Sequence, residues 1–242
     1  MAERSEPSAL IVAHGSPSAS EAQEQAIRAL ASEVATFLPG WQVRGATLAL
    51  KGSLERSAGE LGAPLVYPFF MARGWFTNTL LKSKTTKLGI DQMQPFGLEP
   101  ELVGIAATGV AEALRERQWQ PQDTTLFLAA HGSKGCETSA ADAEAFATAL
   151  SQQVGLAGYA CGYIDQEPYL QDAAVGLGQA ICLPFFALDA GHVTMDIPKA
   201  LAVAGFKGIV LPPFIQWPQI RQLIARSLTA THSTARDGRM LA

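Results

Sequence analysis

The chain repeats itself once, and that duplication limits the folds open to it more than any other feature. Leu10-Ile11-Val12-Ala13-His14-Gly15-Ser16 is answered by Leu126-Phe127-Leu128-Ala129-Ala130-His131-Gly132-Ser133, the second histidine standing 117 positions after the first. Pro68-Phe69-Phe70 is answered by Pro184-Phe185-Phe186 at an offset of 116. Two separate matches at nearly one spacing predict a duplicated structural unit.

Each copy opens with an apolar run ending in His-Gly-Ser, followed by a polar stretch and a helix signal. In the first, Ser20 and Gln23 have capping-box spacing, and Ile27, Leu30, Val34 and Phe37 recur at intervals of three and four. In the second, Ser139 leads into Ala143, Phe146, Ala147, Leu150 and Val154 with the same rhythm. Further strand candidates are Leu65 to Phe70 and Leu102 to Ala106 in the first copy. In the second they are Tyr159 to Ile164, Ile181 to Phe186 and Gly208 to Leu211. Helical patterns follow over Val110 to Arg117 and Gln219 to Ser227. Strands that are apolar throughout and alternate with helices predict parallel sheets covered on both faces. The expected fold is α/β, with two similar lobes over 1–120 and 121–242. The boundary is placed at Gln118 to Thr124, where Pro121 breaks a helix pattern, and the polar tail from Thr229 to Ala242 reads as frayed.

Composition narrows the function classes. The 242 residues are 48% hydrophobic, enough for a sizeable core, which excludes disorder as the main state. The longest apolar runs, Pro64 to Ala72 and Ala180 to Leu188, are about half the roughly 18 residues a membrane-spanning helix needs. No membrane partner is expected. The polar start, Met1 to Ser8, lacks the apolar stretch of a signal peptide, so a cytoplasmic location is expected. Cys136, Cys161 and Cys182 form no C-x-x-C and are expected as reduced thiols. A formal charge of −4 with 18 basic residues gives no broad basic field and argues against nucleic acid. A polyanionic small molecule would need a local basic patch.

Ligands of open α/β sheets sit at the carboxyl ends of the strands, where each His-Gly-Ser lies. One such histidine is readily explained by a bond to a neighbouring carbonyl; two in register favour a role for at least one. His192 follows the Pro184-Phe185-Phe186 strand and precedes Asp196-Ile197-Pro198, where Asp can cap a helix whose first turn holds the proline. Imidazoles from neighbouring strand ends can converge on one ion, and neutral imidazole suits cobalt, iron, nickel or zinc. Glu167 can add a carboxylate as ligand or proton acceptor, or simply be a solvated turn residue. The first lobe has Trp75 in register with His192, allowing one inserted residue, and Lys51 in register with Glu167. If one lobe is catalytic, it is the second.

The His-Gly-Ser strand ends, the run of Pro-Phe-Phe, Gly-His and Asp-Ile-Pro, and the duplication resemble the class II chelatases of the sirohydrochlorin cobaltochelatase family, which also covers siroheme ferrochelatases. The resemblance runs from about Ser8 to Leu228 and is strongest at His131-Gly132-Ser133 and at Pro184 to Pro198. It implies insertion of a divalent metal into a tetrapyrrole such as sirohydrochlorin, without ATP or another protein subunit; cobalt, iron and nickel all accept imidazole, and monomer and homodimer are both open. The metal-handling pair maps onto His131 and His192, and an acidic residue used in part of the family onto Glu167. Some two-lobed relatives keep the working pair in the other lobe, so Trp75 is a departure that leaves His14 as an accessory ligand or a relic.

Two open imidazoles suit a substrate metal, because a closed four-ligand site would trap it. The carboxylates of sirohydrochlorin call for basic contacts, with candidates Arg73, Lys82, Lys84, Lys87, Lys134 and Lys199. Trp75 and Phe76 can form an apolar wall or simply pack in the core. The rival readings are a carrier that binds metal or tetrapyrrole without turnover, and a hydrolase using Ser16 or Ser133. The second lacks a G-x-S-x-G elbow. Nucleotide binding lacks both G-x-G-x-x-G after a strand and G-x-x-x-x-G-K-[ST].

Overall fold

The computed structural model describes residues 6–135 and 137–240, and the chain falls into two α/β units. Among the described residues, the first takes the chain up to Phe70, Trp75–Glu99 and the stretch from Pro218 to Met240. The second takes Met71–Gly74 and Pro100–Trp217.

In the first unit, β1 (Ser8–Ala13) lies between β2 (Gln42–Thr47) and β3 (Leu65–Pro68), all parallel. The helices α1 (Ser20–Ala35), α2 (Ser53–Leu61) and α3 (Lys82–Leu88) follow the strands, and α3 continues a π-helical turn at Phe76–Leu81. Every residue of β1 from Ala9 to Ala13 is fully buried, as a central parallel strand covered on both faces requires. One face packs Leu10 and Val12 against Leu54, Ala58, Val66 and Leu81. Each of these leucines and valines contributes about 1.5–3 kcal/mol when fully buried.

The second unit runs α4 (Leu102–Arg117), β4 (Thr125–Ala130), α5 (Glu137–Val154), β5 (Gly158–Tyr163), α6 (Leu170–Ala173), β6 (Ala180–Pro184), α7 (Ile197–Val203) and β7 (Ile209–Val210). Its parallel sheet has the order β5-β4-β6-β7. The pairing of β1 with β2 and β3 is reproduced by β4 with β5 and β6, so the duplicated sequence is a duplicated topology.

Four expectations are corrected. Leu102 to Ala106 is not a strand but the first turn of α4, whose buried face continues through Val110, Ala113 and Leu114. The short apolar run belongs to a helical stripe longer than the run itself. The division at residue 120 separates the strands but not the helices: α4 belongs with the second unit, and α8 (Gln219–Met240) with the first. There α8 buries Ile220, Leu223, Ile224 and Leu228, and Arg221 pairs with Glu33 of α1 at 2.5 Å. The polar tail is therefore helical as far as Met240, with the His232 ring edge-on to Trp41. Finally, Ser20 makes no cap. A 3-10 turn at Pro17–Ala19 leads straight into α1, so Ser20 already has helical φ and ψ.

Buried Glu24 ties the first unit together. Its carboxylate accepts from the Thr47 N–H (2.7 Å), the Thr47 hydroxyl (2.8 Å) and the Ser53 hydroxyl (2.5 Å), and pairs with Arg28 (2.9 Å). It joins α1 to the end of β2 and the start of α2. Among the described residues, no helix is long and apolar enough to cross a membrane.

Candidate functional site

The site in the second unit is built on the end of β4. After Ala130 the chain must turn sharply, and Gly132 does so at φ +69°, in the left-handed region that disfavours side chains. A Cβ on Gly132 would lie 2.7 Å from Gln166 Cγ and 2.9 Å from Tyr163 Cβ, so the loop after β5 closes tightly over it. That loop also holds its neighbours. The Asp165 N–H donates to the His131 carbonyl (3.0 Å), and the Ser133 N–H donates to Gln166 Oε1 (2.7 Å).

His192 comes from the loop after β6, at the start of a π-helical turn, His192–Asp196, that runs into α7. The two imidazoles stand edge to face with ring centroids 5.0 Å apart, and Phe186 packs 5.9 Å from His192. A metal–nitrogen bond of about 2.1 Å puts an ion about 3.2 Å from an imidazole centroid, so rings up to about 6.4 Å apart can share one ion. The pair is within that limit. Both side chains are nearly half exposed, at 47% and 43%. His131 Nδ1 lies 3.1 Å from the Gly132 carbonyl and 3.5 Å from Asp165 Oδ2, and His192 Nδ1 lies 2.7 Å from Asp196 Oδ2. Among the described residues, no group of three or more His, Cys, Asp or Glu side chains is arranged to hold a metal. A site made by this pair is open rather than closed.

The other anticipated residues are dispersed. Glu167 is exposed in the loop after β5 and, among the described residues, its carboxylate makes no hydrogen bond or ion pair. Lys134 is exposed in the turn after His131-Gly132-Ser133. Arg73 is engaged: its backbone N–H and guanidinium both bind Asp142, at 2.8 and 2.6 Å, and this carboxylate raises the guanidinium pKa. Lys84, in the first unit, pairs with Glu55 at 2.5 Å and holds that carboxyl below its ordinary value. Both line a cavity of about 440 Å³ beyond the end of β2, with Thr47 and Lys51 and without a histidine. Ion pairing makes Arg73 and Lys84 poorer anion contacts than their charge alone suggests.

In the first unit the register partner of the histidine pair is aromatic. His14 is half-buried with its ring 3.9 Å from that of Phe76, which meets Trp75 at 5.1 Å. Trp75 and Phe76 are 57% and 40% exposed, so neither is a core residue. The Ser16 hydroxyl pairs with that of Ser18 at 2.8 Å. Cys136 lies outside the described residues. Burial pushes the Cys161 thiol up to about 12, and Cys182 higher still, which makes neither a ready metal ligand.

Sequence reasoning gave Asp165 and Gln166 no role and read Asp196 as a helix cap. Asp196 does occupy the cap position of α7 but makes no side-chain cap bond, because its carboxylate is turned to His192. The i, i+4 spacing of His192 and Asp196 was the available signal.

A family model named CbiX matches residues 125–231, which include the whole histidine pair. Among solved structures, the chain is similar to CbiX, described as the terminal enzyme for biosynthesis of siroheme in denitrifying bacteria. The two are 41% identical over 92% of this chain and 98% of that one, with a TM-score of 0.84. SirB from Bacillus subtilis, solved with Fe3+, shares the fold at 13% identity, with 96% and 98% of the two chains covered and a TM-score of 0.73. DR2241 from Deinococcus radiodurans, a multi-domain protein with structural similarity to chelatases, is 21% identical with a TM-score of 0.63. The match takes in 93% of this chain, which spans about half of DR2241, 54%. No curated protein matches. With two-fifths identity to a solved CbiX along nearly its whole length, the chain belongs to the CbiX family.

Proposed function

We propose that this protein is a chelatase that inserts a divalent metal, cobalt or ferrous iron, into sirohydrochlorin without ATP, in cobalamin or siroheme biosynthesis. The observation that carries the reading is the approach of His131 and His192 to 5.0 Å at adjoining strand ends of one sheet. Its family membership, and the siroheme role of its 41% identical relative, support the substrate class.

The two imidazoles bind the metal while leaving most of its coordination positions open, so the macrocycle nitrogens can displace the remaining water and then the protein. Two pyrrole N–H protons must leave as the metal enters. Glu167, exposed in the loop after β5, is the proposed acceptor for one, with solvent taking the other, and Lys134 is the proposed contact for a substrate carboxylate. The reaction is assigned to the second unit, since Trp75 takes the place of the second imidazole in the first.

The test is anaerobic absorbance of sirohydrochlorin with cobalt(II) or ferrous iron, with and without catalytic amounts of the protein. Many turnovers above the spontaneous rate are expected, abolished by His192→Ala. Stoichiometric binding that then stops would replace the enzyme by a carrier. No spectral interaction with the macrocycle would remove the substrate assignment.

A further inference from the structure

A histidine can hold a metal through only one ring nitrogen, and the group at the other nitrogen decides which. Among the described residues, the Nδ1 atoms of His131 and His192 face acceptors. The Gly132 carbonyl and Asp165 Oδ2 stand 3.1 and 3.5 Å from His131 Nδ1, and Asp196 Oδ2 stands 2.7 Å from His192 Nδ1. An acceptor there requires the proton on Nδ1, which leaves the lone pair on Nε2.

We infer that Asp165 and Asp196 are positioning residues that fix both imidazoles as Nε2 donors and set the direction of their rings toward the metal. The inference rests on the reading of His131 and His192 as the metal pair. Both carboxylates are on the surface, their side chains 53% and 51% exposed, and Asp196 leaves the α7 cap unmade to reach His192.

The first unit supplies an internal control. Its backbone keeps the same arrangement, with the Ala49 N–H donating to the His14 carbonyl at 2.9 Å as Asp165 donates to that of His131. The π-helical turn is kept as well, at Phe76–Leu81. Yet Ala49 stands in register with Asp165, and Thr79, four residues beyond Trp75, stands where Asp196 follows His192. The unit that lacks the second imidazole lacks both carboxylates, while the hydrogen bonds that shape the loop persist. The carboxylates, rather than the loop hydrogen bonds, separate the two.

The test uses the full chain with Asp196→Ala, Asp196→Asn, Asp165→Ala and His192→Ala. Cobalt(II) alone is titrated anaerobically and followed by its visible absorption. Asp196→Ala should weaken cobalt binding about 10- to 100-fold, the range for loss of an outer-shell partner. Asn, whose Oδ1 accepts the same N–H, should recover most of it. Asp165→Ala should lose several-fold, about 10-fold or less, because the Gly132 carbonyl remains. In kinetics the KM for metal should rise with the KM for sirohydrochlorin within about twofold. Long-range 1H–15N spectra of the histidine rings, with no metal present, should show the proton on Nδ1 and its partial move to Nε2 in Asp196→Ala. If His192→Ala abolishes cobalt binding while Asp196→Ala leaves it and the ring spectrum unchanged, the positioning role is overturned and the metal pair stands. If His192→Ala binds cobalt like the parent chain, the metal pair itself falls.

Discussion

Replacing Gly132 by alanine separates the two demands that the turn after β4 makes on its glycine. The first is conformational: at φ +69° a side chain costs about 1–2 kcal/mol. Part is offset by the lower entropy of the unfolded alanine chain, about 0.4–1 kcal/mol. The second is steric, since the new Cβ would lie 2.7 Å from Gln166 Cγ and 2.9 Å from Tyr163 Cβ. Forcing such a group into a packed site costs about 1–3 kcal/mol more. Gly178 is the matched control, with φ +63° and nothing within 4 Å of its Cβ position. Gly178→Ala should therefore cost roughly 0.5–1.5 kcal/mol and Gly132→Ala roughly 2–4 kcal/mol. Urea unfolding followed by far-UV circular dichroism measures both, with the slope m expected to be unchanged. The steric strain also acts on the site. It pushes on Gln166, which holds the Ser133 N–H, and so moves the loop that carries His131. A shift of about 1 Å can cost roughly 100-fold in rate, so Gly132→Ala should lose more than about tenfold in metal insertion while Gly178→Ala stays within about twofold. Equal stability losses in the two variants, with insertion intact in Gly132→Ala, would refute the reasoning.

Alanine at His131 or His192 should lower insertion by more than about 100-fold with the fold retained, whereas His14→Ala should cost less than about tenfold; initial rates with circular dichroism check this. Glu24→Ala strips an acceptor from Thr47 and Ser53 and a partner from Arg28, and should cost about 3–5 kcal/mol in urea unfolding, so a loss below about 1 kcal/mol would contradict the network. With the Cys161 thiol at about 12, its thiolate fraction at pH 8 is on the order of 10⁻⁴, and Cys182 has still less. Peptide mapping after iodoacetamide should find both unlabelled in the folded chain and labelled in urea; labelling of native Cys161 at the rate of a free thiol would contradict its burial.

What was legible in the sequence follows from what a strand and a motif encode locally. The runs ending at Ala13 and Ala130 are apolar throughout because both strands lie at interior positions in parallel sheets, and that pattern has few other sources. His131 and His192 were readable as a pair because each stands beside a glycine at a strand end. Leu102 to Ala106 misled because five apolar-rich residues fit a buried strand as well as a helix turn, and only the continuation to Leu114 decides. Helix ownership was not readable at all. The stripe of α8 states that Ile220, Leu223, Ile224 and Leu228 are covered, but no stripe names the sheet or helix that covers it. The carboxylates of Asp165 and Asp196 were missed because Asp in a turn and Asp before Ile-Pro have common local explanations, and only coordinates show which way an exposed side chain points.

The duplication also shows which parts of His-Gly-Ser carry fold and which carry chemistry. Gly15 has φ +73°, and a Cβ there would lie 2.9 Å from Ala49 and 3.0 Å from Thr47, so the first unit needs its glycine for the same turn and close approach as the second. That need exists with or without a metal. A repeated glycine therefore testifies to a repeated backbone. His14 packs against Phe76 where His131 faces His192, and Ala49 and Thr79 stand where Asp165 and Asp196 approach the imidazoles. The motif alone marks a strand end that can host a ligand. The second unit differs by a second imidazole, His192, and by the Asp165 and Asp196 carboxylates beside the two rings, and none of those three residues lies within the motif.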